Sequence, residues 1–269
     1  WYMQKPFLKW AGGKSKLSST IQPLLPLGDR LVEPFVGSGS IFINTNYKSY
    51  LLADVNEDLI NLYLELQANG QSFIDYTKSF FTVDNNTQQE YYKLRETFNS
   101  TTDTRLKSAL FVYLNRHCFN GLCRYNKSGG FNVPFGKYDK PYFPEAEMQA
   151  FHTKSSNAVF ITNDFKSTLT SCISGDIVYC DPPYVPLSDT ADFTAYASSG
   201  FTMADQEDLL LLSLSLKENG IPVLISNHAT DWTLEKYKDA EITEIEVSRT
   251  ISAKATERKK AKELLALFK

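Results

Sequence analysis

Cysteine and histidine are scarce in this sequence, and no long apolar run occurs. Four cysteines (Cys118, Cys123, Cys172, Cys180) stand among 269 residues and form no C-x-x-C pair. A disulfide framework is therefore not expected. Cys118 and Cys123 read as two possible zinc ligands, but no second pair completes a set of four. The three histidines (His117, His152, His228) lie far apart in sequence. A reduced, cytoplasmic protein without a metal is expected. No stretch approaches the roughly 20 apolar residues of a bilayer span, so no membrane partner is expected. Trp1-Tyr2-Met3-Gln4-Lys5-Pro6 holds no apolar run of the signal-peptide kind. The chain also lacks internal repeats and low-complexity tracts, which excludes solenoids.

An excess of basic charge is missing as well: the net charge is −3. Its distribution says more than its sum. Leu114–Tyr142 carries five Lys/Arg (Arg116, Arg124, Lys127, Lys137, Lys140) against Asp139, a net of +4. Ser248–Lys262 carries six (Arg249, Lys254, Arg258, Lys259, Lys260, Lys262) against Glu257, a net of +5. The rest must then carry −12. An acidic body with two basic segments suits either solvated faces or contacts to a polyanion.

Short apolar runs recur at Leu31–Phe35, Tyr50–Asp54, Val159–Thr162, Asp176–Cys180, Pro222–Ser226 and Leu264–Phe268. Their brevity and their Gly, Pro, Asp or Asn endings predict buried strands of the parallel kind. Glu241–Val247 alternates polar and apolar, as an edge strand does. A capping box at Thr202–Asp205 opens a helix that stops near Gly220. Strands alternating with helices imply an α/β sheet. The alternation breaks between about Asn56 and Phe143, where Glu90–Asn99 and a segment capped by Asp103 read as helices. We expect an inserted, mainly helical domain at 56–143 within a domain made of 1–55 and 144–269.

Val36-Gly37-Ser38-Gly39-Ser40 links the first strand to a short apolar helix. Glycine lets a backbone approach a ligand closely, although such a turn alone is also compatible with a purely structural role. Asp54, fifteen residues after Gly39, ends the next strand and can accept ribose hydroxyls. No G-x-G-x-x-G run is present, which favours a nucleoside ligand without a pyrophosphate, such as S-adenosylmethionine. Phe7–Lys14 (FLKWAGGK) makes a donor-rich loop with an indole and a cation.

Asp181-Pro182-Pro183-Tyr184 follows the strand Asp176–Cys180, at the end where open α/β sheets bind ligands. An exocyclic aryl amine is a poor nucleophile because its lone pair is delocalised. The Asp181 carboxylate and the Pro182 carbonyl can accept both of its hydrogens and favour an electron-rich nitrogen. Two prolines stiffen the turn in advance. Tyr184 offers a face on which an extruded base can stack. The same turn would activate cytosine N4, and a DNA-binding protein with a degenerate cofactor site is a third reading.

The sequence resembles the Dam family of DNA adenine methyltransferases over nearly the whole chain. The matching blocks are FLKWAGGK, Val32–Gly39 (VEPFVGSG), Leu52–Asn56 (LADVN), Asn120–Asn126 (NGLCRYN), Phe131–Gly136 (FNVPFG), Lys140–Glu147, Val178–Pro186 (VYCDPPYVP) and Leu224–His228 (LISNH). The resemblance implies a Rossmann-like S-adenosylmethionine-dependent methyltransferase sheet with an inserted target-recognition domain, acting on adenine N6 in GATC by base flipping. Asp181, Pro182 and Tyr184 would be catalytic. Trp10, Ala11, Lys14, Phe35, Gly37, Asp54, Asp164, Phe165 and Asp181 would line the cofactor. Lys9 and Tyr138 would contact the first base pair, Leu122 and Pro134 the thymine methyl of the third, and Arg124 the guanine of the fourth. Phe119 would intercalate and Asn120 would face the orphaned thymine. The implied partner is double-stranded DNA, which places the protein on the nucleoid, and no obligate protein partner is implied.

Overall fold

Strand formation follows the apolar runs closely in the computed structural model, which describes residues 3–14, 17–187, 200–247 and 261–269. The strands are β1 (Arg30–Glu33), β2 (Ser49–Asp54), β3 (Ala158–Thr162), β4 (Asp176–Cys180), β5 (Val223–His228), β6 (Glu241–Val247) and β7 (Ala261–Phe268). The helices begin with α1 (Ser18–Ile21), α2 (Ser40–Ile43), α3 (Glu57–Asn69), α4 (Gln71–Lys78) and α5 (Gln88–Ser100). They continue with α6 (Thr104–His117), α7 (Glu145–Lys154), α8 (Phe165–Thr170), α9 (Met203–Glu218) and α10 (Asp231–Lys236). The expected phosphate contacts at 248–262 lie outside the described residues, apart from Ala261 and Lys262. No helix among the described residues is long and apolar enough to cross a membrane.

The chain forms two units, one of residues 1–22, 36–46 and 54–162, the other of 23–35, 47–53 and 163–269. In the second unit the strands follow the order β2-β1-β4-β5-β7-β6. β1 is parallel to β2 and β4, and β4 is parallel to β5. Ile177, Val178, Cys180, Val223, Leu224 and Ile225 are all buried, each side chain contributing about 1.5–3 kcal/mol by leaving water. Arg30 and Asp176 face each other in register across β1 and β4. Their bidentate ion pair, with both bonds at 2.8 Å, joins the starts of the two strands.

Two expectations are corrected. The run Val159–Thr162 is not a buried strand: in β3, Val159 is 56% exposed and Thr162 is exposed, while Ala158 and Phe160 are buried, because a short apolar run does not say whether one face or both are covered. The run Leu264–Phe268 is buried but not parallel: β7 runs antiparallel to both β5 and β6. A strand covered on both faces reads as a continuous apolar run whichever way it points, so composition carries no direction. The polar alternation of β6 fits its place at the end of the order, with Glu241 and Glu244 exposed.

The first unit is mostly helical through residue 117, and α3, α5 and α6 start with capping side chains. Asn56 accepts from the Leu59 N–H, Thr87 from that of Glu90, and Asp103 from those of Arg105 and Leu106. Each such cap contributes about 1 kcal/mol. α6 is buried from Ser108 to Leu114, as a helix packed on all sides must be apolar all round. Past α6 the chain turns back on itself through the isolated bridges Cys118↔Phe135 and Tyr125↔Phe131.

Candidate active site

In the first unit the glycine turn is built around one carboxylate. Gly37 has φ +50°, and a Cβ there would lie 2.9 Å from the Trp10 Nε1. Only glycine therefore fits beside the indole. The Gly37 N–H donates to Asp54 Oδ2 at 3.1 Å, and Asp54 Oδ1 accepts from the Asn56 N–H at 3.0 Å. The Tyr63 hydroxyl donates to the Gly37 carbonyl. Burial raises the Asp54 carboxyl above its ordinary value, opposed by the N–H groups of Asn56, Gly37 and Val55. Trp10, Gly37 and Asp54 are thus brought together. Ala11 is exposed in a turn closed by the Gly13 N–H to the Trp10 carbonyl, and Lys14 just beyond it is buried. Val55, 74% exposed at the end of β2, is an apolar neighbour of Asp54 that the sequence did not single out.

The seven residues expected to read DNA also belong to the first unit. Lys9 Nζ lies 4.8 Å from the centre of the Tyr138 ring, and the Tyr138 hydroxyl accepts from the Asn120 N–H at 2.9 Å. Asn120 is left-handed at φ 54°. The next residue, Gly121, has φ +62°, and its Cβ would meet the Lys9 Cβ at 2.6 Å. The Phe119 N–H donates to the Pro134 carbonyl at 2.8 Å. Lys9 is itself held by Asn115, whose amide accepts from its N–H and donates to its carbonyl. Phe119, Asn120, Arg124 and Pro134 are exposed, and Leu122 is half-buried. Arg124 donates from Nε to Asn132 Oδ1 at 2.9 Å and from Nη2 to the Asn132 carbonyl at 3.4 Å. Asn132, which aims this guanidinium, was not anticipated. Tyr125 donates to Asp58 at 2.8 Å, tying the segment to the first turn of α3.

In the second unit the Phe35 and Phe165 rings stack, with centroids 5.6 Å apart, and Phe201 packs edge-on against Phe35. Phe201 was not anticipated either. Asp164 caps α8, accepting from the Ser167 N–H at 2.7 Å, a bond that holds its carboxyl below the usual range.

Asp181 directly follows β4, and Phe35 lies in the turn two residues past the end of β1, whose register with β4 runs from Arg30↔Asp176 to Val32↔Val178. Pro182 is buried, and Asp181 and Tyr184 are half-buried. The Tyr184 hydroxyl donates to Glu263 at 3.3 Å, and its ring meets His228 edge-on at 4.8 Å. Burial pushes the Tyr184 hydroxyl far above its ordinary pKa, so it stays protonated. Gln206 and Asn227, both wholly buried, hold the backbone around Tyr184.

Burial pushes the Cys118 and Cys172 thiols up to about 12 and Cys123 to about 11, so none of these is a thiolate nucleophile at neutral pH. Among the described residues, no three His, Cys, Asp or Glu side chains gather where they could hold a metal.

The family of D12 class N6 adenine-specific DNA methyltransferases matches residues 10–251. A DNA adenine methylase of Serratia marcescens is 49% identical over 266 residues, 98% of each chain. Proteins of the same name from Vibrio cholerae serotype O1 and Escherichia coli K12 are 50% and 48% identical over 98% of this chain, and over 96% and 95% of their own. A match of this extent decides for adenine N6 over cytosine N4 and for an enzyme over a binding protein. The chain belongs to the D12 class of N6 adenine-specific DNA methyltransferases.

Proposed function

We propose that this enzyme methylates the adenine of GATC in duplex DNA, with S-adenosylmethionine as donor, by flipping the base and transferring the methyl directly in line. In this reading residues 56–143, with Lys9, form the target-recognition insert, and 1–55 and 144–269 form the catalytic domain. One observation carries it: Lys9 and the stretch Phe119–Tyr138, more than a hundred residues apart, meet through direct contacts. That assembly matches the chemistry of a GATC reader. Arg124, aimed by Asn132, suits the bidentate edge of guanine, and apolar Leu122 and Pro134 suit a thymine methyl. Phe119 is 48% exposed, as a wedge between bases must be, and Asn120 beside it offers an amide to the partnerless thymine.

The donor set fits an amino acid joined to a nucleoside. In the first unit, Asp54 has lone pairs for ribose hydroxyls, Val55 offers an apolar face and Lys14 a cation for a carboxylate; in the second, the Phe35–Phe165 pair offers an aromatic face to a purine. Trp10, Ala11, Gly37, Asp164 and Asp181 complete the group that would hold it. Once bound, S-adenosylmethionine supplies an electrophilic methyl on a sulfonium. The chain's own task is then to hold the amine. Asp181 and the Pro182 carbonyl accept its two hydrogens, while Tyr184 stacks on the ring. The substrate keeps the protein on the nucleoid.

Sequencing of DNA treated with enzyme and donor, with mass analysis of its nucleosides, tests this reading. N6-methyladenine confined to GATC is expected. Methylation in another context overturns the target assignment.

A further inference from the structure

The residues on either side of Tyr184 are joined by a bridge of two side-chain amides. The Val185 N–H donates to Asn227 Oδ1 at 2.9 Å, Asn227 Nδ2 donates to Gln206 Oε1 at 3.1 Å, and Gln206 Nε2 donates to the Pro183 carbonyl at 2.7 Å. In a γ-turn such a carbonyl and the N–H two residues on would bond each other. Here two amides are interposed and keep them apart. Asn227 also accepts from the His228 N–H at 2.9 Å and donates to the Tyr237 hydroxyl at 3.2 Å. Its two donors and two lone pairs are all used, so the amide can point only one way. Gln206 is fixed at its own end. It lies in the first turn of α9, which is locked by the Thr202–Asp205 capping box, and Lys166 reaches Asp208 at 2.8 Å.

We propose that Gln206 and Asn227 are positioning residues for methyl transfer, setting where Tyr184 and the Pro182 carbonyl stand when an adenine amine is held. The inference rests on the reading of Asp181–Tyr184 as the amine-binding turn. Neither amide is exposed to substrate, so their effect passes through the backbone. A misplacement near 1 Å at such a turn costs rate on the order of a hundredfold.

The test uses the full-length enzyme with tritiated S-adenosylmethionine and a GATC duplex. Gln206→Met keeps the length and removes the donor. Asn227→Leu keeps a similar volume and removes both the acceptor and the donors. Each is expected to lower kcat about ten- to a hundredfold, with the KM for DNA and the cofactor Kd near those of the parent and a lowered Tm that still leaves the chain folded at the assay temperature. Because both cut one bridge, the double variant should lose no more than the worse single variant. Should Gln206→Met fail to fold, Gln206→Leu, which also removes the donor, replaces it. A kcat within twofold of the parent overturns the proposal. So do losses that multiply in the double variant, or losses matched by weaker cofactor binding. Asp181→Ala separates the two ideas. An active Asp181→Ala removes the reading of the turn, whereas an inactive one beside an unimpaired Gln206→Met removes the bridge alone.

Discussion

Between Cys118 and Tyr138 the chain keeps its shape with two isolated bridges and scattered hydrogen bonds, and Phe119, Asn120, Arg124 and Pro134 face solvent. Between Pro182 and Val185 it is clamped by wholly buried amides from a helix and a strand. The supports of the two segments differ in kind. On the proposed function, a surface that conforms to DNA keeps side chains able to adjust, whereas a turn that holds one reacting amine loses about a hundredfold in rate for a misplacement near 1 Å.

The largest blow to this contrast should come from Asp181→Ala. Removing one acceptor from a fixed turn is expected to lower methyl transfer by roughly 10²–10³ or more, with cofactor affinity nearly intact by calorimetry. An Asp181→Ala enzyme of parental rate would end the assignment.

Acid should strike the other segment first. His117 is 1% exposed, stacks on Tyr113, and accepts the Gly136 N–H on its carbonyl. Burial lowers its pKa from 6.5 to about 4. The unfolded chain gains this proton below pH 6.5 and the folded chain only near 4. The stability it contributes is therefore complete above 6.5 and is lost as pH falls through 4, about 3 kcal/mol in all. His117→Gln should flatten the fall of Tm between pH 6.5 and 4, whereas parallel curves for parent and variant would discount the imidazole.

Arg124→Ala should weaken cognate binding by roughly 1–3 kcal/mol and relax discrimination at one base pair only. Binding titrations on single-base variants of the site decide this, and equal losses on every sequence would make Arg124 a phosphate contact. The smallest change should be Asn120→Gly. A left-handed residue tolerates glycine, so the Tm should move by less than about 1 kcal/mol would produce, while methylation falls several-fold for want of the side chain.

Much of the sheet was legible because buried strands and capped helices announce themselves locally. Asp176–Cys180 and Glu241–Val247 lie where apolar content and alternation put them, and Asp103 and Thr202 cap the helices they precede. Direction was not legible for β7, since burial has none. At the proposed site, Gly37 and Asp54 could be named from residue type and spacing. Gln206, Asn227, Asn132 and Phe201 could not. A glutamine in a helix or an asparagine in a strand gains its meaning from a partner distant in sequence, and no local pattern encodes that pairing.

The ion pair of Arg30 with Asp176 has a consequence for what can vary in this chain. By pinning the start of β4 to that of β1 at a common zero, it turns the length of β4 into a ruler that ends at Asp181. One residue inserted into β4 would carry Asp181 about 3.3 Å further along and swing its side chain to the opposite side of the sheet. Loops elsewhere can lengthen freely, but this short span must keep its count.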